Sequence, residues 1–231
     1  MSNSVVATWG IVTDSEISSV IVPDGCRDLI VSSSVGEKPR FFVSPLFDTA
    51  QTVTLSSGTT MAGFRLKPGI RVDAEKLIAS LSDNKLDLND IGERLDAFTT
   101  RIDAVEEALY SLASDVRTVT QAAKELGTST RTLQRLVVKE TSRSPMYWMM
   151  LARGRKAARA LNSPLPLVDI AELYGYADQA HMSREFRRWF NISPSCLRHL
   201  PNRLNQFYNK AYDGFDTGVH NSIKNPFLSA I

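Results

Sequence analysis

The chain of 231 residues carries 27 Lys and Arg against 25 Asp and Glu and is 43% hydrophobic, as expected of a folded globular protein with one or two domains. No stretch approaches the roughly 18 to 20 apolar residues that cross a bilayer, and the N-terminal residues lack the pattern of a signal peptide. The two cysteines, Cys26 and Cys196, are too few and too far apart for a disulfide framework, so we expect a cytoplasmic protein.

Short runs rich in β-branched and aromatic residues predict strands across residues 1 to about 70. Two of these runs are joined by Pro23-Asp24-Gly25, a sequence typical of a turn. The region is short for a complete barrel, so a partial barrel or a sandwich is expected. The predicted strands cover residues 17–22, 26–34, 39–47, 51–57 and 61–69.

The next part of the chain is acidic and has a helical pattern. Apolar residues recur at spacings of three and four between residues 88 and 112, which predicts an amphipathic helix in this run. This helix would either pack on the β domain or pair with a second subunit, and both options remain open. A hinge near residues 113–118 would then lead into the following domain.

One helical unit occurs twice after this hinge. The first copy covers residues 119–145 and the second covers residues 168–194. In each copy, apolar side chains follow one helical face on both sides of a glycine-containing turn, which indicates a helix-turn-helix. Gly127 and Gly175 end the first helices, where a residue without a Cβ adopts the left-handed conformation at little cost. A small helical bundle without a ligand is the alternative.

Charge distinguishes the two halves of the chain. Residues 115–200 contain 14 Lys and Arg against 7 Asp and Glu, a net charge of +7. Residues 1–114 contain 10 against 16, a net charge of −6. A compact basic helical region with candidate recognition helices is the electrostatic pattern of a DNA-binding domain.

The second copy, IAELYGYADQAHMSREFRRWFNISPSCLR, resembles the signature of AraC/XylS-type transcriptional regulators. The resemblance extends over about eighty residues and both repeats, although Met182, Asn191 and Leu197 replace the usual Phe, Gly and aromatic residue. It implies that the second helix of each unit enters the major groove. It also implies a linker helix, at about residues 145–161, that spaces the two units by about 34–36 Å, one turn of B-DNA.

The resemblance assigns DNA contacts to individual residues. Arginine bridges guanine O6 and N7, and glutamine pairs with adenine. The residues expected to contact bases are Arg131, Gln134, Arg135, Gln179, His181 and Arg184. Those expected at the DNA backbone are Lys124, Ser129, Thr130, Arg143, Arg153, Arg155, Lys156, Arg187, Arg188 and Arg198. An ion pair with a neighbouring carboxylate is the alternative for Arg135 and Arg184, and a solvated surface charge is the alternative for the backbone set.

Two short segments of the N-terminal half, PDGCRDLI and GFRLKPG, resemble a small cupin-like domain that precedes AraC-type modules. This resemblance implies a small-molecule effector, whose candidate contacts are Trp9, Cys26, Arg27, Asp28, Phe64 and Arg65. An Asp28–Arg65 ion pair that ties strands together is the alternative to a ligand site. Cys26 is a candidate oxidant sensor, or a small buried apolar residue.

Catalysis, metals and cofactors are not expected. The three histidines, His181, His199 and His220, all lie in the C-terminal half, so a cupin-like metal enzyme would lack its ligands. No phosphate-binding, dinucleotide-binding or nucleophile-elbow motif occurs.

The C-terminal residues 201–231 extend past the region that resembles AraC-type domains and are rich in Asn and aromatic residues. Free tails rarely carry so many aromatic residues, so we expect this tail to fold back on a neighbouring domain. A short helix with one apolar face is predicted from Leu204, Phe207, Tyr208, Ala211 and Tyr212.

The predicted fold is α+β, with a small β-barrel or sandwich and its helices at 1–114, two helix-turn-helix units at 115–200 and an extension at 201–231. The predicted function is sequence-specific binding of double-stranded DNA by a transcription regulator. We also expect a homodimer and, if the protein is an activator, contact with RNA polymerase. No membrane partner is expected. The alternative is a protein-interaction module or an antagonist that has kept this fold without binding an operator.

Overall fold

The structure is a computed structural model that describes residues 2–34, 36–81, 88–115 and 118–214. His220 and the rest of the tail from residue 215 onward lie outside the described residues, as do residues 116 and 117 of the predicted hinge. Within the described ranges, no helix is long and apolar enough to cross a membrane.

Antiparallel strands make up most of the N-terminal half. They are β1 (Val5–Val12), β2 (Ile17–Ile21), β3 (Asp28–Ser34), β4 (Arg40–Val43), β5 (Gln51–Leu55), β6 (Thr59–Leu66), β7 (Arg71–Val72) and β8 (Thr99–Thr100). One sheet has the strand order β1-β6-β3-β4, while β2 pairs with β5 and β7 with β8. Among the described strands these sheets remain open, in agreement with the expectation that the region is too short for a complete barrel.

The sequence pattern located β2 to β6 but not β1. Seven of the eight side chains of β1 are partly buried, so the strand lacks a polar face that would give a clear alternation. Pro23-Asp24-Gly25 follows β2 and precedes β3, which lie in different sheets. This turn therefore carries the chain from one sheet to another and does not close a hairpin.

Three helices follow β7, namely α1 (Ala74–Leu81), α2 (Leu88–Phe98) and α3 (Asp103–Ala113). The run predicted to include one helix is thus two helices, interrupted where Thr99 and Thr100 pair with β7. At the end of α2 the Thr99 hydroxyl donates to the carbonyl of Leu95 at 2.6 Å.

Two apolar cores divide the chain. The first lies between the four-stranded sheet and helices α1 and α2, and includes Leu29, Leu66, Leu77 and Leu95. The second core belongs to the helical half but also contains Val105, Ala108, Leu109 and Leu112 of α3. The division between the cores therefore falls before α3, inside the predicted 1–114 domain. This packing uses the apolar face of α3 within one chain.

The helical half contains both repeats and part of the tail. Its helices are α4 (Val119–Glu125), α5 (Thr130–Thr141), α6 (Pro145–Ala160), α7 (Leu167–Leu173), α8 (Gln179–Phe190), α9 (Pro194–Arg198) and α10 (Pro201–Asn205), followed by 3₁₀ turns at Gln206–Tyr208 and Tyr212–Gly214. The predicted linker helix is α6. Folding back of the tail is confirmed for its described part, because Leu204, Phe207, Ala211 and Tyr212 are buried. Tyr208 is exposed.

Candidate nucleic-acid interface

Both units change direction at residues with a left-handed backbone. Gly127 and Gly175 have φ angles of +63° and +70° after α4 and α7. Ser142 and Asn191 end α5 and α8 with φ angles of +58° and +52°, and they are the only non-glycine residues of the described chain with positive φ. Asn191 replaces the glycine usual in the resembling family, and asparagine tolerates this conformation better than most residues.

Helix caps also repeat between the units. The Ser129 hydroxyl caps α5 by accepting the Thr132 N–H at 3.1 Å, and the Asp178 carboxylate caps α8 in the same way. Ser144 and Ser193 cap the next helices, each followed by a proline in the first turn. These side chains satisfy N–H groups that a helix start leaves without partners, so local sequence determines where α5 and α8 begin.

The second turn has one residue more between its glycine and the next helix than the first turn, and Tyr176 of this turn enters the core. Its side chain is 6% exposed, and the guanidinium carbon of Arg153 stands 4.4 Å from the centre of its ring. Arg153 also donates to the carbonyl of Gly175 at 3.2 Å. The second turn is therefore anchored from both sides, whereas Thr128 of the first turn is only partly buried.

Helix α5 presents its three predicted base-contacting residues on one face. Leu133 and Val137 are buried in the helical core, while Arg131, Gln134 and Arg135 are exposed. Within the described chain the side chains of these three residues make no ion pair or hydrogen bond. The carboxylate partner considered for Arg135 is therefore not seen.

Helix α8 repeats this arrangement. Met182 and Phe186 are buried, and Gln179 and Arg184 are exposed without a side-chain partner among the described residues. His181 is partly buried, and its Nδ1 accepts the N–H of Ala177 at 3.3 Å, which leaves Nε2 as the donor. The outer face of α8 borders an open cavity of about 450 Å³ lined by Gln179, Ala180, Ser183, Arg184 and Arg187.

The predicted backbone-contacting residues fall into two groups. The exposed or partly exposed group is Lys124, Ser129, Thr130, Arg187 and Arg188. Within it, Ser129 caps α5 and Arg188 lies 3.7 Å from the carboxylate of Glu185 on the same helix. The other group is bonded within the chain. Arg143 forms an ion pair with Asp48, Lys156 forms one with Asp115, and Arg198 donates to the carbonyls of Leu161 and Leu165 at 3.2 and 2.7 Å. Arg153 holds the second turn as described above. A phosphate would have to displace these contacts.

Arg155 corrects the prediction. None of its side chain is exposed, although the sequence analysis placed it at the DNA backbone. Its Nε donates to Asp213 at 2.6 Å, and its terminal nitrogens donate to the carbonyls of Pro23 and Phe207 at 3.0 and 3.3 Å. The expected phosphate contact was wrong, because the guanidinium is enclosed by protein. Helical spacing was the missed signal, since Arg155 lies four residues after buried Leu151.

Three of the six residues named for an effector are bonded to one another. Asp28 and Arg65 approach to 3.1 Å across paired strands, and Trp9 Nε1 donates to Asp28 at 2.9 Å. Arg65 also pairs with Asp24 at 3.0 Å. The alternative in which this pair ties strands together is therefore the one observed.

The remaining three candidates, Phe64, Arg27 and Cys26, make no hydrogen bond or ion pair with one another's side chains among the described residues. Phe64 is buried in the first core, and Arg27 is partly buried. Burial raises the pKa of the Cys26 thiol well above its usual value, and the neighbouring Asp24 adds to the shift. A thiol that stays protonated is a poor nucleophile, which argues against an oxidant sensor at this position.

Contacts from the N-terminal half reach both helix-turn-helix units. Asp48, in the β4–β5 loop, forms two hydrogen bonds of 2.7 and 2.9 Å with Arg143 just after α5. Two residues later, the Ala50 N–H donates to the carbonyl of Trp189 at 2.8 Å, and the Ala50 carbonyl accepts from Asn191 at 2.9 Å. One loop therefore holds the ends of α5 and α8.

Several comparisons with known proteins match this helical region. A family profile described as a helix-turn-helix domain matches residues 122–199. The ornithine utilization regulator of Pseudomonas aeruginosa is 36% identical over 100 residues, which cover 42% of this chain and 29% of that protein. The HTH-type transcriptional regulator RipA of Corynebacterium glutamicum is 34% identical over 94 residues, with coverages of 41% and 28%.

A solved structure of a Chromobacterium violaceum transcriptional regulator, described by its AraC-type DNA-binding domain, shares 24% identity at a TM-score of 0.40 and covers 42% of this chain and 90% of that one. The matched region spans less than a third of either curated relative. Its sequence and its repeated units agree in one assignment. Residues 122–199 form a helix-turn-helix domain.

Proposed function

We propose that the protein is a transcription regulator that binds double-stranded DNA by placing α5 and α8 in two successive major grooves. The repeated recognition face carries this proposal. Arg135 and Arg184 occupy equivalent, exposed positions on the two helices, and neither has an ion-pair partner among the described residues. Unpaired arginine side chains at the surface of a recognition helix remain available for base edges.

The chemistry of the two faces suits sequence reading. Arginine donates two hydrogen bonds to guanine O6 and N7, which supports this role for Arg135 and Arg184. Gln134 and Gln179 carry the amide group that pairs with adenine N6 and N7. Each well-formed bidentate contact discriminates against a wrong base by about 1–3 kcal/mol, so a few such contacts on each helix give useful specificity.

Electrostatics supports the same surface. Residues 115–200, which contain both units, carry the net charge of +7. Lys124 and Arg187 are exposed, and neither has an ion-pair partner in the part of the chain that is described, so both are available to phosphates. Each phosphate neutralised in this way releases counterions, and binding should therefore weaken as salt increases.

Selection from a random pool of duplexes tests the proposal. Purified full-length protein, at recorded salt, should enrich a site with two boxes about one helical turn apart. Enrichment that requires added cell extract would point to an effector held by the N-terminal half, whose β4–β5 loop contacts both units. If folded protein enriches no sequence with or without extract, the proposal fails and an interaction module is the better description.

A further inference from the structure

The first turns of the tail lie beyond the matched domain and yet belong to its core. The family profile ends at residue 199, while Phe207 and Tyr212 are 0% and 2% exposed. We call residues 201–214 the brace. The turns of a helix-turn-helix pair form without such a segment. The burial of the brace therefore points to a role in the domain as a whole.

On one side the brace contacts the linker helix α6. The ring of Tyr212 packs edge-on against Trp148, with centroids 4.7 Å apart. The carboxylate of Asp213, which is fully buried, forms ion pairs with Arg155 and Arg159 of α6. Burial opposes ionisation of Asp213, but the two guanidinium groups outweigh this effect and hold its pKa below the ordinary value. The contact is therefore charged at neutral pH.

On its other side the brace contacts the end of the second recognition helix. Phe207 packs edge-on against Phe190, the last residue of α8, with centroids 4.8 Å apart. The guanidinium of Arg203 donates to the Phe190 carbonyl. One short segment thus touches both α6 and α8.

The N-terminal half contacts the brace from a third direction. Arg65 donates to the carbonyl of Lys210 at 3.0 Å, and the N–H of Tyr212 donates to the carbonyl of Asp24 at 2.9 Å. The charges at this junction balance, with three carboxylates against three guanidinium groups. They belong to Asp24, Asp28, Arg65, Arg155, Arg159 and Asp213.

We propose that the brace fixes the angle between α6 and α8, and thereby the spacing at which the two recognition helices meet DNA, with Asp213 as the positioning residue. This inference rests on the proposed function, because spacing matters only if both helices read DNA. Two weak contacts joined rigidly act as one strong contact when their separation matches the two boxes. A loose joint loses this advantage and tolerates wrong separations.

The test compares full-length wild type with Asp213→Asn on duplexes that carry the two selected boxes at separations varied in single base pairs. Wild type should lose about 30-fold in affinity when the separation is shifted by two base pairs, and the variant less than about 5-fold. At the best separation the variant should bind about 30-fold more weakly than wild type. Asp169→Asn, which makes the same change on the exposed side of α7, should keep the wild-type profile.

The possible outcomes separate the brace from the proposed function. Folded Asp213→Asn with the wild-type profile would overturn the brace. If circular dichroism shows that this variant is unfolded, Arg159→Lys provides the test instead. This change keeps a positive charge at a side chain that is 26% exposed and removes only the planar guanidinium group. A flattened profile for Arg159→Lys supports the brace and an unchanged one overturns it. A wild type indifferent to spacing would contradict the proposed function itself.

Discussion

The two helix-turn-helix units follow the same local rules but are held in place differently. Both have a left-handed glycine, a side-chain cap on the recognition helix and a left-handed C-terminal residue. The first unit packs against α3, the helix that follows the N-terminal core. The second unit is held by arginine side chains from α6 and α10. Local sequence therefore shapes each unit, and distant segments decide where it lies.

Because of these arginines, net charge alone overestimates the number of basic side chains that are available to DNA. Arg153 holds the second turn, and Arg203 binds the end of α8. Arg198 donates to one carbonyl at the C-terminal end of α6 and to another in the α6–α7 loop. Together with Arg155, they direct their guanidinium groups to protein carbonyls or carboxylates. The number of phosphates that the domain neutralises should thus be smaller than its basic residues suggest.

Removing the brace carboxylate should have the largest effect on stability. Asp213→Asn leaves two guanidinium groups of α6 without their anion, and loss of one partner of a buried pair costs about 3–5 kcal/mol. Because the folded pKa of Asp213 lies below its ordinary value of 3.8, the contribution is present above that pH and is lost as pH falls through the folded pKa. Urea unfolding from neutral to acid pH should show the curves of variant and wild type converging below about pH 4.

Truncating the anchor of the second turn should come next. Tyr176→Ala empties a buried site and should destabilise the protein by about 3 kcal/mol. The corresponding change in the first turn, Thr128→Ala, should cost less than about 1 kcal/mol because this side chain is only partly buried. Thermal unfolding of both variants measures the contrast, and equal losses would show that the two turns are anchored alike.

DNA binding should respond differently to two neighbouring arginines of α8. Arg184→Ala should lower affinity for the selected site by about 2 kcal/mol and leave binding to random DNA nearly unchanged. Arg187→Ala should weaken both kinds of DNA alike and reduce the salt slope by about 1. Titrations at several salt concentrations measure both effects. An equal loss on selected and random DNA for Arg184→Ala would rule out its base-reading role.

The smallest effect concerns the left-handed residues that end the recognition helices. Ser142→Gly should stabilise the protein by about 0.5–1 kcal/mol, because glycine adopts φ of +58° without strain. Asn191→Gly should be nearly neutral, since asparagine already tolerates this conformation and the smaller gain is offset by loss of the hydrogen bond to Ala50. Chemical denaturation resolves the difference. A gain for Asn191→Gly as large as that for Ser142→Gly would mean that the Ala50 contact contributes nothing.

Much of the helical half could be predicted because its signals are local. The caps at Ser129 and Asp178 and the turn glycines act within a few residues, so a single sequence shows them. The exposed faces of α5 and α8 followed from helical spacing in the same way. Strand β1 was missed because its side chains are partly buried on both faces.

The ion pair of Arg155 could not be predicted from the sequence. A basic residue in a basic domain favoured a phosphate contact, and helical spacing alone could have suggested burial. Its carboxylate partner, Asp213, lies 58 residues away in the tail. The pairing depends on how α6, the tail and the Pro23 turn meet, and no local pattern reports that meeting.

Sequence alone determined the repeated units, the exposed faces of α5 and α8 and the charge difference between the two halves, since caps, periodicity and composition act over short distances. Only the tertiary structure decided which arginines lack a partner in the described chain and remain available for the proposed DNA contacts. It also decided that α3 and residues 201–214 join the helical core and that one N-terminal loop touches both units. The physical reason is that these ion pairs and apolar contacts form between surfaces that the whole fold brings together. The partner residues are far apart in the sequence, and their separation follows no periodic pattern.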